Sequence, residues 1–121
     1  MTSVGTDIIE IERIKNSMNN KKFFEYVFGE DEYSMLKNKG LPARSVAANF
    51  CGKEAFFKSI GTGIRSYGLK NVQILRDEFG KPYFKFSGKV LEEVERNGYK
   101  FSISLSHCKD YALATVICYT K

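Results

Sequence analysis

A carboxylate and an ammonium group stand four residues apart, at Glu54 and Lys58, in a segment whose apolar spacing predicts a helix. Helical geometry places both on one rim of the apolar stripe formed by Val46, Phe50 and Phe57. This rim is a candidate catalytic pair. The alternative is an i,i+4 ion pair on a solvated helix, which contributes only about 0.2–0.5 kcal/mol.

Two further ionisable residues stand near the ends of predicted strands. Asp7 lies at the junction between a β-branched segment, residues 3–9, and a helical pattern from about Glu10. It is either a ligand-binding carboxylate at a strand end or the first residue of a capping box with Glu10. His107, the chain's one histidine, lies in a predicted turn, where a lone histidine is more often incidental than catalytic.

The Gly61-Thr62-Gly63 segment ends the predicted helix. An ordinary glycine C-cap explains it, and close backbone approach to a ligand phosphate explains it equally well. Phe56 and Ile60 point to the side of the helix opposite Phe50. The helix is therefore apolar in two directions, and two surfaces must cover it.

Composition predicts one folded domain over residues 1–121, with 27% charged and 43% hydrophobic residues. No apolar run is long enough for a membrane span, and the N-terminus lacks a signal-peptide core, so the default compartment is the cytoplasm. Cys51, Cys108 and Cys118 are an odd number without metal-type spacing, which is typical of reduced thiols.

The formal net charge of +5 favours an acidic partner. Nucleic acid, an anionic membrane surface, an acidic protein and a phosphorylated small molecule all satisfy that charge. No RNP-like signature, zinc-finger spacing or tryptophan supports nucleic-acid binding, which remains a weak alternative.

Periodicity and turn signals divide the rest of the chain into short elements. Residues 64–70 read as a loop whose Arg65 and Tyr67 either face a substrate or are simply exposed. Residues 88–97 read as a helix that buries Val90, Leu91 and Val94. Further strands are predicted at residues 71–76, 83–86, 101–106 and 111–119, and short helical pieces at 10–18, 23–28 and 32–36.

Five segments in order closely resemble the bacterial holo-acyl-carrier-protein synthases. They are residues 5–11 (GTDIIEI), 53–58 (KEAFFK), 61–63 (GTG), 80–82 (GKP) and 104–107 (SLSH). Each motif is modest alone, but their order, spacing and the matching chain length make the combination specific. The resemblance implies transfer of 4′-phosphopantetheine from coenzyme A to a serine of apo-acyl carrier protein, in fatty acid biosynthesis. Adenosine 3′,5′-bisphosphate would be released.

The resemblance also implies a fold and an assembly. The fold is α+β, with a long central helix packed against a largely antiparallel sheet, as in 4′-phosphopantetheinyl transferases. The assembly is a homotrimer with active sites between subunits, which would account for the two-sided apolar helix.

By the same resemblance, Asp7 and Glu54 hold Mg²⁺, a hard cation that prefers oxygen ligands. Glu54 and Lys58 are the catalytic residues, with Lys58 a fixed cation on the coenzyme A phosphate. The base that takes the serine proton stays open among Glu54, Glu32 through a water, and a metal-bound water. The remaining residues expected at coenzyme A are Gly61, Gly80, Lys81, Pro82, Ser106 and His107.

The chain departs from the family pattern in four places. Asn49 stands where an arginine is common, which would remove a phosphate cation, and Cys108 stands where a hydroxyl residue is common after His107. Gly29 replaces a frequent threonine. Cys51-Gly52 replaces a pair of small residues, which matters little.

A basic group of residues follows Asp7, and it is a candidate docking surface for the acidic acyl carrier protein. The alternative is a solvated helix face without a partner. For the whole chain, the alternative to an enzyme is a non-enzymatic basic binding module. The basic group consists of Arg13, Lys15, Lys21 and Lys22.

Overall fold

The computed structural model describes residues 1–61 and 68–121, which form an α+β fold as predicted. Thr62, Gly63, Arg65 and Tyr67 of the predicted turn and loop lie outside the described residues. The elements in chain order are β1 (Thr2–Glu10), α1 (Ile11–Ser17), α2 (Lys21–Val27), α3 (Glu30–Asn38), α4 (Ala43–Ile60), a 3-10 turn (Leu69–Asn71), β2 (Val72–Arg76), β3 (Pro82–Phe86), α5 (Gly88–Asn97), β4 (Lys100–His107) and β5 (Tyr111–Tyr119).

The main sheet is antiparallel and has the strand order β1–β5–β4. β1 pairs with β5 along its whole length, from Thr2 opposite Tyr119 to Glu10 opposite Tyr111. β4 pairs with the other edge of β5, and β2 and β3 form a separate hairpin. The first and last strands of the chain are thus neighbours, so every residue of β1 has a fixed register.

Helix α4 is the element around which the others pack. Pro42 precedes it with φ −65°, a value that suits a helix start, and Gly61 ends it in the left-handed conformation with φ 71°. The Gly61 N–H donates to the Lys58 carbonyl at 3.3 Å. The C-cap interpretation of Gly61 is therefore confirmed.

Both apolar sides of α4 are covered within one chain. The side toward the main sheet carries small buried residues, among them Cys51 and Ala55. Further round the helix, the Phe56 ring is fully buried and lies 4.9–5.2 Å, between centroids, from Phe84 and Phe86 of β3 and Phe101 of β4. The expectation that a second subunit covers this side is wrong for Phe56, because strands of the same chain cover it.

The face of the main sheet that points away from α4 is apolar and open to solvent. Val4 and Ile8 of β1 are 63% and 62% exposed, and Leu113 and Ile117 of β5 are 41% and 40% exposed. The register places Val4 opposite Ile117 and Ile8 opposite Leu113. These four side chains form one patch, called the outer sheet face below.

The smaller helices follow local sequence signals. α2 begins after Asn20, whose Oδ1 accepts the Lys22 N–H at 3.0 Å, an ordinary N-cap. α5 buries Val90 and Val94 as predicted, whereas Leu91 is exposed, because the helix contacts the core along one narrow stripe. Within residues 1–61 and 68–121, no helix combines the length and hydrophobicity that crossing a bilayer requires.

Candidate functional site

Asp7 occupies a strand position facing α4, three residues before the end of β1. The N-cap of α1 is Glu10, and no side chain caps that helix, so the capping-box explanation of Asp7 is wrong. Its Oδ1 accepts a hydrogen bond from Lys58 Nζ at 3.1 Å. Asp7 is therefore available to a site on α4 rather than tied to the start of α1.

Asp7 and Glu54 line the same pocket, which has a volume of about 240 Å³. β1 and α4 supply the two carboxylates, and α1 supplies Arg13 at the rim. The apolar part of the wall includes Phe23 and Phe50. Two carboxylates far apart in sequence thus meet beside an arginine, in a cleft with an aromatic side.

The thiol of Cys51 reports the local electrostatics. Burial raises the pKa of Cys51 most, and the negative charges of Asp7 and then Glu54 raise this pKa further, while Lys58 lowers it. Its Sγ donates to the Ala112 carbonyl at 3.4 Å. The negative charges of both carboxylates therefore act on the same buried thiol.

Lys58 lies at the edge of this carboxylate pair. Its ammonium donates to Asp7 and, at 3.0 Å, to the Thr6 carbonyl, and its side chain is 57% exposed. An ammonium has three donors, so Lys58 keeps capacity to contact an incoming anion. Glu54 and Lys58 both lie near Asp7 of β1, since Glu54 lines the pocket with Asp7 and Lys58 pairs with Asp7.

The donor set suits a hard cation. Magnesium is commonly bound by one or two carboxylates, with waters and substrate phosphates completing the octahedron. Among the residues that the structure describes, no group of three or more acidic, histidine or cysteine side chains forms a protein-only metal cage. Asp7 and Glu54 fit a magnesium ion shared with a phosphate ligand.

Lys53, next to Glu54 in sequence, points to a different side of α4 and is fully buried. Its Nζ donates to Glu32 Oε1 at 2.6 Å, and to the carbonyls of Val72 and Leu69 at 2.7 and 3.2 Å. The Phe28 ring centroid lies 5.2 Å from the same ammonium. This is an ion pair with satisfied hydrogen bonds, the form in which proteins tolerate buried charge.

Asn49 and Arg76 extend this network. Asn49 Nδ2 donates to Glu32 Oε2 at 2.9 Å and to the Ile74 carbonyl at 3.1 Å, and Asn49 Oδ1 accepts from Arg76 at 2.9 Å. Asn49 is fully buried. The buried network, defined as Glu32, Asn49, Lys53 and Arg76, thus joins α3, α4 and β2.

Glu32 is fully committed within this network. Besides Lys53 and Asn49, its carboxylate accepts the backbone N–H groups of Gly29 and Ile74, each at 3.3 Å. Burial raises the pKa of Glu32, and the adjacent Lys53 charge lowers it. Glu32, one of the three candidates for the serine base, lies outside the carboxylate pocket.

The expected coenzyme A residues are distributed over the surface of a single chain. Ser106 and His107 end β4 and are exposed, and His107 lines a pocket with Lys15 and Arg44. Gly80 and Lys81 lie in the β2–β3 turn, where Asp77 Oδ1 accepts the Lys81 N–H at 2.9 Å. Gly61 is exposed at the end of α4, and Pro82 begins β3. None of these residues lines the pocket of Asp7 and Glu54 in the described part of the chain.

The four basic residues after Asp7 are all exposed, and they point to different places. Arg13 lines the carboxylate pocket, Lys15 lines the pocket that includes His107, and Lys21 lines a groove with Phe24 and Tyr33. Lys22 lies in the first turn of α2. Of these four, Arg13 is the one that reaches the carboxylate pocket.

Some residues of the site were not identified from sequence. Phe23 and Cys51, one in the wall of the pocket and one beneath it, carry no chemical motif. The contact that Lys53 and Asn49 both make with Glu32 had a signal: the two are polar residues four apart on a helix that is otherwise buried on that side. Their spacing indicated a shared buried face but could not name Glu32 as the partner.

Comparison with known proteins adds evidence to this geometry. A sequence model of the 4′-phosphopantetheinyl transferase superfamily matches residues 3–116. The holo-[acyl-carrier-protein] synthase of Clostridium beijerinckii is 41% identical over 115 residues, which are 94% of each chain.

Solved structures resemble the whole chain as well. The crystal structure of the holo-[acyl-carrier-protein] synthase from Neisseria meningitidis superimposes with a TM-score of 0.89 at 32% identity, covering 98% of both chains. The synthase from Bacillus anthracis, solved in complex with CoA (3′,5′-ADP), gives a TM-score of 0.80 at 31% identity, covering 98% of this chain and 96% of that one.

Proposed function

The chain belongs to the 4′-phosphopantetheinyl transferase superfamily, and we propose that it acts as a holo-[acyl-carrier-protein] synthase. It transfers 4′-phosphopantetheine from coenzyme A to a serine hydroxyl of apo-acyl carrier protein and releases adenosine 3′,5′-bisphosphate. The observation that carries the proposal is the pocket shared by Asp7 and Glu54, in a chain that matches such synthases from end to end.

Mg²⁺ is the proposed cofactor, and Asp7 and Glu54 are its proposed protein ligands. Both are oxygen donors that line one pocket, which supports a shared cation. The ion supplies electrostatic stabilisation of the pyrophosphate and of the charge that develops on the leaving phosphate. Glu54 also remains a candidate base for the serine proton, together with a metal-bound water.

Lys58 is the proposed fixed cation for the transferred phosphate. It is anchored to Asp7 and to the Thr6 carbonyl, and it remains more than half exposed. A preorganised cation costs little reorganisation when negative charge develops beside it. Lys53, the other lysine of the KEAFFK segment, cannot take this role, since its ammonium is buried against Glu32.

The assembly that we propose is a homotrimer with active sites between subunits. Two observations support it. The outer sheet face exposes a contiguous apolar patch, which is typical of an interaction surface. In one chain, moreover, Ser106 and His107 do not line the carboxylate pocket. In a trimer, the Ser106 and His107 side chains of a neighbouring subunit could reach coenzyme A bound at this pocket.

Proposed contacts to coenzyme A come from Gly61, from the β2–β3 turn and from the end of β4. Gly61 offers exposed backbone near Lys58, and Gly80 to Pro82 lie in a turn held by Asp77, on the adenosine side. Arg13, at the carboxylate pocket, and the other basic residues are proposed to hold the acidic carrier protein.

The test is direct. The protein is mixed with coenzyme A, Mg²⁺ and an apo-acyl carrier protein, and the carrier is weighed by mass spectrometry. A phosphopantetheine mass increment that disappears with EDTA supports the enzyme. Tight coenzyme A binding without any increment, with several carrier proteins, would support the basic binding module instead.

A further inference from the structure

β1 and α4 come unusually close at Gly5. A Cβ atom placed on Gly5 would lie 2.0 Å from the Ala55 carbonyl oxygen and 2.6 Å from the Ser59 nitrogen, both backbone atoms of α4. Gly5 is not among the glycines with positive φ, so its strand conformation is open to any residue. Space, rather than backbone conformation, requires glycine here.

Gly5 and Asp7 lie on the same face of β1, because side chains alternate along a strand. Ser3, also on this face, donates its hydroxyl to the Ser59 carbonyl, and Asp7 accepts from Lys58. The three strand positions therefore run along α4 in sequence, with Gly5 between two polar contacts. The distance between β1 and α4 at Gly5 therefore also sets how far the Asp7 side chain lies from α4.

We propose that Gly5 is a positioning residue that sets the distance between the Asp7 and Glu54 carboxylates, so that both reach one divalent cation. Glu54 immediately precedes Ala55, the residue whose carbonyl Gly5 contacts, so strand and helix are fixed together one residue from one ligand and two from the other. This inference rests on the proposed function and assigns a role to a residue that itself contacts no ligand.

The effect of a larger residue follows from the distances. Real Cβ atoms essentially never approach another heavy atom within 3.0 Å, so Gly5→Ala must move β1 and α4 apart by about 1 Å. Close-packed interiors transmit such a shift rather than absorb it. Changes in the supports of metal ligands typically cost about 10–100-fold in affinity. We expect Mn²⁺, used as the probe, to bind Gly5→Ala at least ~10-fold more weakly than the unmodified chain.

The decisive test is whether the effect of Asp7→Glu on Mn²⁺ affinity changes sign in the Gly5→Ala background. Asp7→Glu alone should weaken Mn²⁺ binding, because the longer side chain overreaches a correctly spaced site. In the Gly5→Ala background the same change should strengthen binding, because one added methylene compensates for the wider gap. Free Mn²⁺ is measured by electron paramagnetic resonance, so the readout does not depend on transfer activity. Simple destabilisation would not invert the effect of Asp7→Glu.

Gly52→Ala is the matched control. Gly52 is a buried glycine of α4, but its added Cβ would meet the far end of the Ile74 side chain at 2.4 Å, away from β1. We expect its Mn²⁺ affinity to stay within about 2-fold of the unmodified chain. If Gly5→Ala does not fold, Ala114→Val replaces it, because Ala114 is buried on β5 directly opposite Asp7 and the larger valine side chain should widen the gap between the sheet and α4.

The outcomes separate this inference from the proposed function. If the unmodified chain neither binds Mn²⁺ nor modifies a carrier protein, the proposed function fails. If it does both, and Gly5→Ala or its substitute binds Mn²⁺ normally, or Asp7→Glu weakens binding equally in both backgrounds, Gly5 is not a positioning residue. Inversion of the Asp7→Glu effect, with Gly52→Ala unchanged, establishes the inference.

Discussion

The two carboxylates of the pocket, Asp7 and Glu54, contribute little to folding and much to the proposed chemistry. Within the described residues, Asp7 makes one ion pair, with a lysine that is more than half exposed. Exposed pairs of this kind stabilise a fold by about 0–1 kcal/mol. Replacement of Asp7 or Glu54 should therefore separate activity from stability.

We predict that Asp7→Ala and Glu54→Ala each abolish transfer, because a lost ligand removes the shared cation. Thermal unfolding should change by only a few degrees, since neither residue belongs to the packed core. Mass analysis of the carrier and a melting curve check both parts. Glu95→Ala, an exposed carboxylate change on α5, is the control, and full activity of Asp7→Ala at saturating Mg²⁺ would contradict the metal assignment.

Replacing the two lysines of the KEAFFK segment should have different effects, one on turnover and the other on folding. Lys58→Ala should lower turnover per folded molecule by about 10-fold or more while the melting temperature stays nearly constant, since it removes a fixed cation from an exposed rim. Lys53→Ala should instead reduce the folded fraction. Turnover normalised to the folded protein distinguishes them, and equal normalised losses would argue against the roles assigned here.

At the scale of elements, the buried network holds three of them together. Lys53 on α4 is paired with Glu32 on α3, and both bond to backbone groups in or near β2. Removing one partner of a buried pair leaves an uncompensated charge, which typically costs 3–5 kcal/mol. The network therefore fixes the orientation of α4 on a side that neighbours the carboxylate pocket.

We predict that Lys53→Met lowers the free energy of unfolding by about 3–5 kcal/mol. Adding Glu32→Gln should recover part of this loss, because glutamine keeps hydrogen-bonding capacity without the unpaired charge. Urea unfolding of both single variants and the double variant gives the coupling energy. Strict additivity of the two changes would mean that the pair contributes nothing as a pair.

The pH dependence of Lys53→Met follows from the same pair. Burial raises the pKa of Glu32, and removing Lys53 removes the charge that lowers it. A carboxyl whose pKa is higher in the folded state than in the unfolded state favours folding below its unfolded pKa of about 4.3, and that stability is lost as pH rises through the folded pKa. The loss of unfolding free energy in Lys53→Met, relative to the unmodified chain, should thus be larger at neutral pH than at acidic pH.

Sequence predicted the elements well where local signals dominate. The β5 boundaries and the glycine end of α4 match, because alternation and a C-cap are local properties. The buried position of Phe56 was misassigned to a subunit contact, since periodicity shows that a side chain is apolar but not what covers it. Asp7 was undecided for the same reason: a cap and a ligand share one residue type, and only packing against α4 separates them.

At the scale of the whole molecule, the outer sheet face is the clearest candidate interface. We predict that Val4→Asp reduces both assembly and activity, because it places a charge in the apolar patch without touching the core. Sedimentation velocity and the transfer assay follow the two effects. Leu91→Asp, which also places a charge at an exposed apolar residue but lies on α5, is the control and should change neither. A monomer with full activity would refute the intersubunit site.

Carrier docking is an effect of net charge and its distribution. Raising salt should increase the apparent KM for carrier protein more than that for coenzyme A, because exposed charges are screened over about 10 Å at 0.1 M. Arg13→Glu should act in the same direction, since Arg13 stands beside the carboxylate pocket. Lys89→Glu, an exposed change on α5, is the matched control. If the KM for carrier protein changes with neither salt nor Arg13→Glu, the carrier protein docks on another surface.

Assembly through the outer sheet face would make the abundance of the enzyme part of its regulation. If subunits join through this patch and share their sites, the active fraction obeys mass action in the protein itself. Specific activity should then fall on dilution and return on concentration, with a lag set by association. A cell that synthesises little of this chain would lose activity more steeply than it loses protein.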